Sequence, residues 1–146
     1  MRKVLLPVDG SDSAFQATLY VIDFVQKHGP VEVHVVNVQP KPLEWQTHDM
    51  GKEAISDRLE IEAHVAMKPA LHALNEEGIG YKTHVKLGDV AEILSALADE
   101  LGCDHIVMGT RGLGAISGIV LGSVTRKVLH LANVPVTCVK SRPPSR

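Results

Sequence analysis

The stretch Gly109-Thr110-Arg111-Gly112-Leu113-Gly114-Ala115-Ile116-Ser117-Gly118-Ile119-Val120-Leu121-Gly122-Ser123 separates a short apolar run, His105 to Met108, from a segment with helical periodicity. A glycine-rich loop between a strand and a helix suits an anion. Glycines let backbone N–H groups approach a ligand with no Cβ in the way. A helix N-terminus adds unpaired amides and a partial positive charge. Ser123 brings a hydroxyl to the same place and Thr125 can bring another, while Arg111 offers a charge-assisted contact to a phosphate.

Working outward, the rest of the chain alternates short apolar runs with amphipathic segments. Val4 to Val8 is continuously apolar, as in a strand covered on both faces, and ends in Asp9-Gly10. Ser11, Asp12 or Ser13 can cap the helix marked by Ala14, Ala17, Thr18, Val21, Phe24 and Val25, which Gly29-Pro30 stops. Val31 to Val38 reads as a second strand, and Gln39 to about Gly51 as a loop carrying Trp45, which either covers a pocket or lies exposed. A long helix follows through Ile55, Leu59, Ala63, Ala66, Ala70 and Leu74. Pro69 is expected to kink it or split it in two.

Tyr81, Thr83, Val85 and Leu87 alternate with Lys82, His84 and Lys86, predicting a half-exposed strand at a sheet edge. Asp89 to Glu92 resembles a capping box for a helix ending at Gly102. His105 to Met108 is a fourth strand. Val120, Leu121, Val124, Val128 and Leu131 carry a last helix, and Val134 to Val139 forms a fifth strand. This βαβαβαβαβ order predicts one α/β domain over residues 1–146, with a parallel sheet and helices on both faces.

Composition narrows the function classes. The net charge of -2 is too balanced for a protein that holds nucleic acid through a basic face, and 3% aromatics leaves little for base stacking. No apolar run nears the roughly 20 residues of a membrane span, so no membrane insertion is expected. The N-terminal apolar run stops at Asp9, against a signal peptide. Two distant cysteines, Cys103 and Cys138, fit packed thiols in a reduced, cytoplasmic protein. The eight histidines show no metal-ligand spacing and read as solvated or lightly packed.

Known phosphate motifs do not fit. No lysine follows Gly118 or Gly122 as a P-loop requires. The first turn is Asp9-Gly10-Ser11 rather than the G-x-G-x-x-G of a dinucleotide fold. A phosphoacceptor receiver would need a lysine after the fifth strand, and Lys140 lies in the frayed tail. The spacing Gly109-x2-Gly112-x9-Gly122-Ser123, with the opening VLLPVDGS from Val4 to Ser11 and the closing Val134-Pro135-Val136, resembles the ATP-binding subgroup of the universal stress protein family over essentially the whole chain.

The resemblance implies a Rossmann-like sheet of order 3-2-1-4-5. It implies that Asp9 contacts adenine or ribose beside a wall shaped by Pro7, and that Val38 holds adenine through its backbone. Met108 and Gly109 would approach ribose and phosphates, and Gly112, Gly122, Ser123 and Val124 would cradle the phosphates, with Thr125 beside them. ATP, with Mg²⁺, is the implied ligand; ADP, AMP and cyclic AMP are alternatives. Homodimerisation through Val136 to Val139 is implied too, in a regulatory or sensing module for stress response that acts on an unidentified protein partner. Two other readings stand beside it: a homodimeric interaction module without physiological nucleotide binding, and a slow ATPase. No base suited to faster hydrolysis is evident near Gly109 to Ser123.

Overall fold

The computed structural model describes residues 1–111 and 121–141. In chain order the elements are β1 (Lys3–Pro7), α1 (Asp12–His28), β2 (Glu32–Gln39), α2 (Glu44–Thr47), α3 (Lys52–Glu76), β3 (Tyr81–Leu87), α4 (Val90–Leu101), β4 (His105–Gly109), α5 (Ser123–Leu131) and β5 (Val136–Val139). The strands form one parallel sheet in the order β3-β2-β1-β4-β5.

The continuous apolar runs are explained by two covered faces. Val4, Leu6, Val33, Val35 and Val107 pack with α1 and α3 on one side. Leu5, Val36, Ile106 and Met108 alternate with them and pack with α4 and α5 on the other. Alternate residues of the central strands thus line opposite faces, and most of their buried positions are apolar, with His34 and Asn37 in β2 as buried polar exceptions. Edge strand β3 is more open than its alternation suggested, with Val85 and Leu87 exposed and only Tyr81 and His84 half-buried.

Helix ends follow local chemistry. The Ser11 hydroxyl accepts the Ala14 amide at 3.1 Å and so caps α1. The Asp89 carboxylate accepts the Glu92 amide at 3.0 Å and caps α4, which with the Lys127 ammonium holds Asp89 below the ordinary carboxylate range.

Three expectations are corrected. Pro69 does not split α3 in two, since the helix runs unbroken from Lys52 to Glu76. Pro69 and Val65, whose carbonyl loses its helical donor, both lie on the exposed side of the helix. Ala63, Met67, Ala70 and Leu74 meanwhile bury the opposite stripe. The segment after β2 is not all loop, since α2 forms there and carries Trp45 outward, 70% exposed. Finally, α5 begins at Ser123, after Leu121; Val120 lies outside the described residues. Among the described residues no helix is long and apolar enough to cross a membrane.

Candidate functional site

β1 lies between β2 and β4, so the winding reverses between β1 and β4. A crevice opens outside the carboxyl ends of strands at such a point, because the loops after the two strands diverge. Here it measures about 660 Å³. The turn after β1 is tight: Asp9 Oδ1 accepts the Ser11 amide at 2.9 Å, and Gly10 takes φ 85°, where an L side chain is strained.

The floor of the crevice is a close approach of chain segments. A Cβ on Gly109 would lie 2.6 Å from the Ser13 carbonyl carbon and 2.8 Å from its Cβ, so glycine alone lets β4 end against α1. The Thr125 hydroxyl, buried at the start of α5, donates to the Gly109 carbonyl at 3.0 Å. The Gly122 amide donates to the Thr110 carbonyl at 2.7 Å and closes the base of the glycine-rich loop.

Pro7, Asp9, Val38, Met108, Gly109 and Arg111 all line this crevice. So do Gly122, Ser123, Val124 and Thr125. Gly112 lies outside the described residues, as do Gly114 and Gly118. Sequence reasoning missed Asn37, Gln39, Val90, Leu94 and Arg126, which line it as well. Asn37 had a signal: it is a polar residue within a valine-rich strand. It is 2% exposed and its Nδ2 donates to the Val8 carbonyl at 2.8 Å, while its Oδ1 accepts from Gln39 at 2.7 Å. It therefore ties the end of β1 to the end of β2. Leu94 sits one helical turn beyond Val90, a spacing that puts both on one face of α4.

The two ends of the crevice differ in chemistry. Val38, Val90, Leu94 and Met108 make an apolar slot suited to a flat ring. The other end is the N-terminus of α5. Its first helical bond is Arg126 N–H to the Gly122 carbonyl, so the amides of Ser123, Val124 and Thr125 precede the helical ladder. The N-cap is glycine, which has no side chain to accept them, and the first turn has no acidic residue. By contrast α1, α3 and α4 carry Asp12, Glu53 and Glu92 in their first turns. Arg126 adds positive charge where the helix dipole is already positive, and Arg111 lines the same end. Among the described residues neither arginine forms a salt bridge, whereas nearby Lys127 is held by both Asp89 oxygens at 3.1 Å.

No group of three or more metal-ligating side chains occurs among the described residues. The two cysteines are free; burial pushes the Cys103 thiol up to about 11 and also raises half-buried Cys138. Of the histidines, His34 departs from the solvated expectation. It is 3% exposed, with Nδ1 2.8 Å from His84 Nε2 and Nε2 2.9 Å from Glu32 Oε1. This cluster lies at the amino-terminal half of β2 and its pairing with β3, and none of its members lines the crevice.

Comparison with known proteins agrees with this architecture. A universal stress protein from the QAH/OAS sulfhydrylase 3′ region of Thermus aquaticus is 34% identical over 140 residues, covering 95% of this chain and 98% of that one. The structure of MJ0577 from Methanocaldococcus jannaschii, described there as a hypothetical protein, superposes with a TM-score of 0.83 at 30% identity, covering 99% and 98% of the two chains. The universal stress protein of Archaeoglobus fulgidus in complex with dAMP superposes with a TM-score of 0.68 at 28% identity, covering 96% and 98%. The model of the universal stress protein family matches residues 1–140, and the chain belongs to that family.

Proposed function

We propose that this protein binds ATP, accompanied by Mg²⁺, in the crevice between β1 and β4, and acts as a nucleotide-dependent regulatory module in stress response. The observation that carries this reading is the bare N-terminus of α5. Three amides, Ser123 Oγ and two arginines that form no salt bridge among the described residues line a space whose other end is an apolar slot. That polarity, apolar at one end and anion-accepting at the other, fits a purine nucleotide. Asp9 lines the crevice at the β1 side, where the family resemblance puts the contact to adenine or ribose. Mg²⁺ would arrive bound to the phosphates and keep several of its waters. The dAMP complex of the related Archaeoglobus fulgidus protein supports an adenine nucleotide as the class of ligand.

On this reading, occupancy alters the surface around the glycine-rich loop, and an unidentified protein partner in the cytoplasm reads the change. A second copy pairs through Val136 to Val139, because among the described residues β5 is an edge of the sheet, with β4 as its one neighbouring strand. Calorimetric titration of nucleotide-stripped protein tests the reading. Saturable binding of ATP supports it, and no heat from any adenine nucleotide contradicts it.

A further inference from the structure

Ser13 is a buried polar residue that the proposed ligand contacts do not include. It is 3% exposed, in the first turn of α1, and it does not cap that helix, because Ser11 does. Its hydroxyl faces outward from α1 instead. It accepts the Arg111 amide at 3.3 Å and donates to the Val139 carbonyl at 3.3 Å. One hydroxyl can do both at once, having one proton to give and two lone pairs. The Val139 carbonyl also takes the Thr110 amide at 3.0 Å.

Each residue leading out of β4 is therefore held by its own bond. Thr125 holds the Gly109 carbonyl, Gly122 and Val139 hold Thr110, and Ser13 holds Arg111. Among the described residues the Ser13 bond is the last anchor before Gly112 along the chain, and it holds the Arg111 backbone where it leaves the sheet. The apolar slot is built from β2, α4 and Met108, none of which Ser13 hydrogen-bonds.

We propose that Ser13 is a positioning residue for the phosphate end of the crevice: by fixing the Arg111 backbone it aims the Arg111 guanidinium at the nucleotide's phosphates while leaving the base slot untouched. This rests on the nucleotide-binding reading above. It makes a claim that a general structural role would not, namely that the loss in Ser13→Ala is confined to phosphate recognition.

The test measures dissociation constants of ATP and of adenosine for wild type, Ser13→Ala, Arg111→Ala and the double variant. Ser13→Ala only trims a hydroxyl. It should reduce the preference for ATP over adenosine about fivefold, the scale of one hydrogen bond, with adenosine affinity unchanged. In the Arg111→Ala background the same change should cost much less, because the group being aimed is gone. In wild type the Arg111 amide should exchange slowly with solvent, and Ser13→Ala should speed it without altering Leu5 or Val35 in the sheet. An unchanged ATP preference, an equal loss for both ligands, or full additivity with Arg111→Ala would overturn the role while leaving nucleotide binding in place. A wild type that binds neither ligand would overturn the nucleotide reading itself, and this role with it.

Discussion

Gly109→Ala is a small change with a large expected cost. The added methyl would sit 2.6 Å from the Ser13 carbonyl carbon and 2.8 Å from the Ser13 Cβ, with Ser13 Oγ also in the way. Rotating the hydroxyl aside would break its bonds to Arg111 and Val139, about 1 kcal/mol each. Rotation also leaves the backbone collision in place. The end of β4 and the first turn of α1 must then separate, against the parallel pairing of Gly109 with Val139 and the buried packing around it. Overpacking of this kind typically costs 1–3 kcal/mol, and a backbone neighbour puts this site in the upper part of that range, about 2–3 kcal/mol. For a domain of this size that lowers the melting temperature by roughly 4 to 12 °C. Urea titration and calorimetric melting would measure it. Gly80→Ala is the control, since nothing lies within 4 Å of its added methyl and its φ is not in the left-handed region. That variant should be neutral or gain about 0.4–1 kcal/mol. A Gly109→Ala protein within about 0.5 kcal/mol of wild type would refute the reasoning.

Two further outcomes follow from buried polar groups. Burial, and then the charges of His34, Lys86 and Lys82, hold the His84 imidazole below its ordinary 6.5. The unfolded chain therefore takes up that proton first on acidification. This contribution is fully present above about pH 6.5 and is lost as pH falls from there toward the lowered value. His105, lowered first by burial and then by the N-terminal ammonium, acts in the same direction. Urea midpoints should fall between about pH 7 and 5.5, with a shallower fall in His84→Gln; an identical slope in that variant would contradict the assignment. Asn37→Leu keeps much of the volume but leaves the Val8 carbonyl without the donor at 2.8 Å, a loss of about 1–3 kcal/mol by urea titration. A change below about 0.5 kcal/mol would mean that Asn37 does not brace the crevice.

Much of the architecture was legible because its signals are local. Val4 to Val8 and Ile106 to Met108 are continuously apolar, since α1 and α3 cover one face and α4 and α5 the other. Ser11 and Asp89 announce helix starts through side chains that satisfy nearby amides. The strand order is another matter. Periodicity alone cannot say which strands are neighbours, and the 3-2-1-4-5 order came from resemblance to a family.

What stayed hidden depends on long-range partners. Pro69 does not interrupt α3 and lies on its exposed face, and which face of the helix would be exposed depends on the packing of α3 against the sheet. His34 looked like one of several scattered histidines. Only the pairing of β2 with β3 brings His84 to it, fifty positions away in the chain. Asn37 is visible as an anomaly in β2, yet its partner is a carbonyl at the end of β1. At the crevice, the glycine spacing marked the loop, while the arginine-flanked, acid-free start of α5 became apparent only with the neighbouring strands in place.

The most direct test of the central claim is calorimetric titration of nucleotide-stripped protein with MgATP, beside ADP, AMP and cyclic AMP, on wild type and on Gly122→Val. At Gly122 the backbone has φ -71° and ψ 165°, which valine adopts without backbone strain; circular dichroism first checks that the variant is folded. The account predicts ATP binding at micromolar concentrations or tighter by wild type, about −8 kcal/mol or better, and at least a tenfold loss in the variant. Wild-type affinity retained by folded Gly122→Val would move the nucleotide away from this crevice, and no binding of any nucleotide by wild type would contradict the account outright.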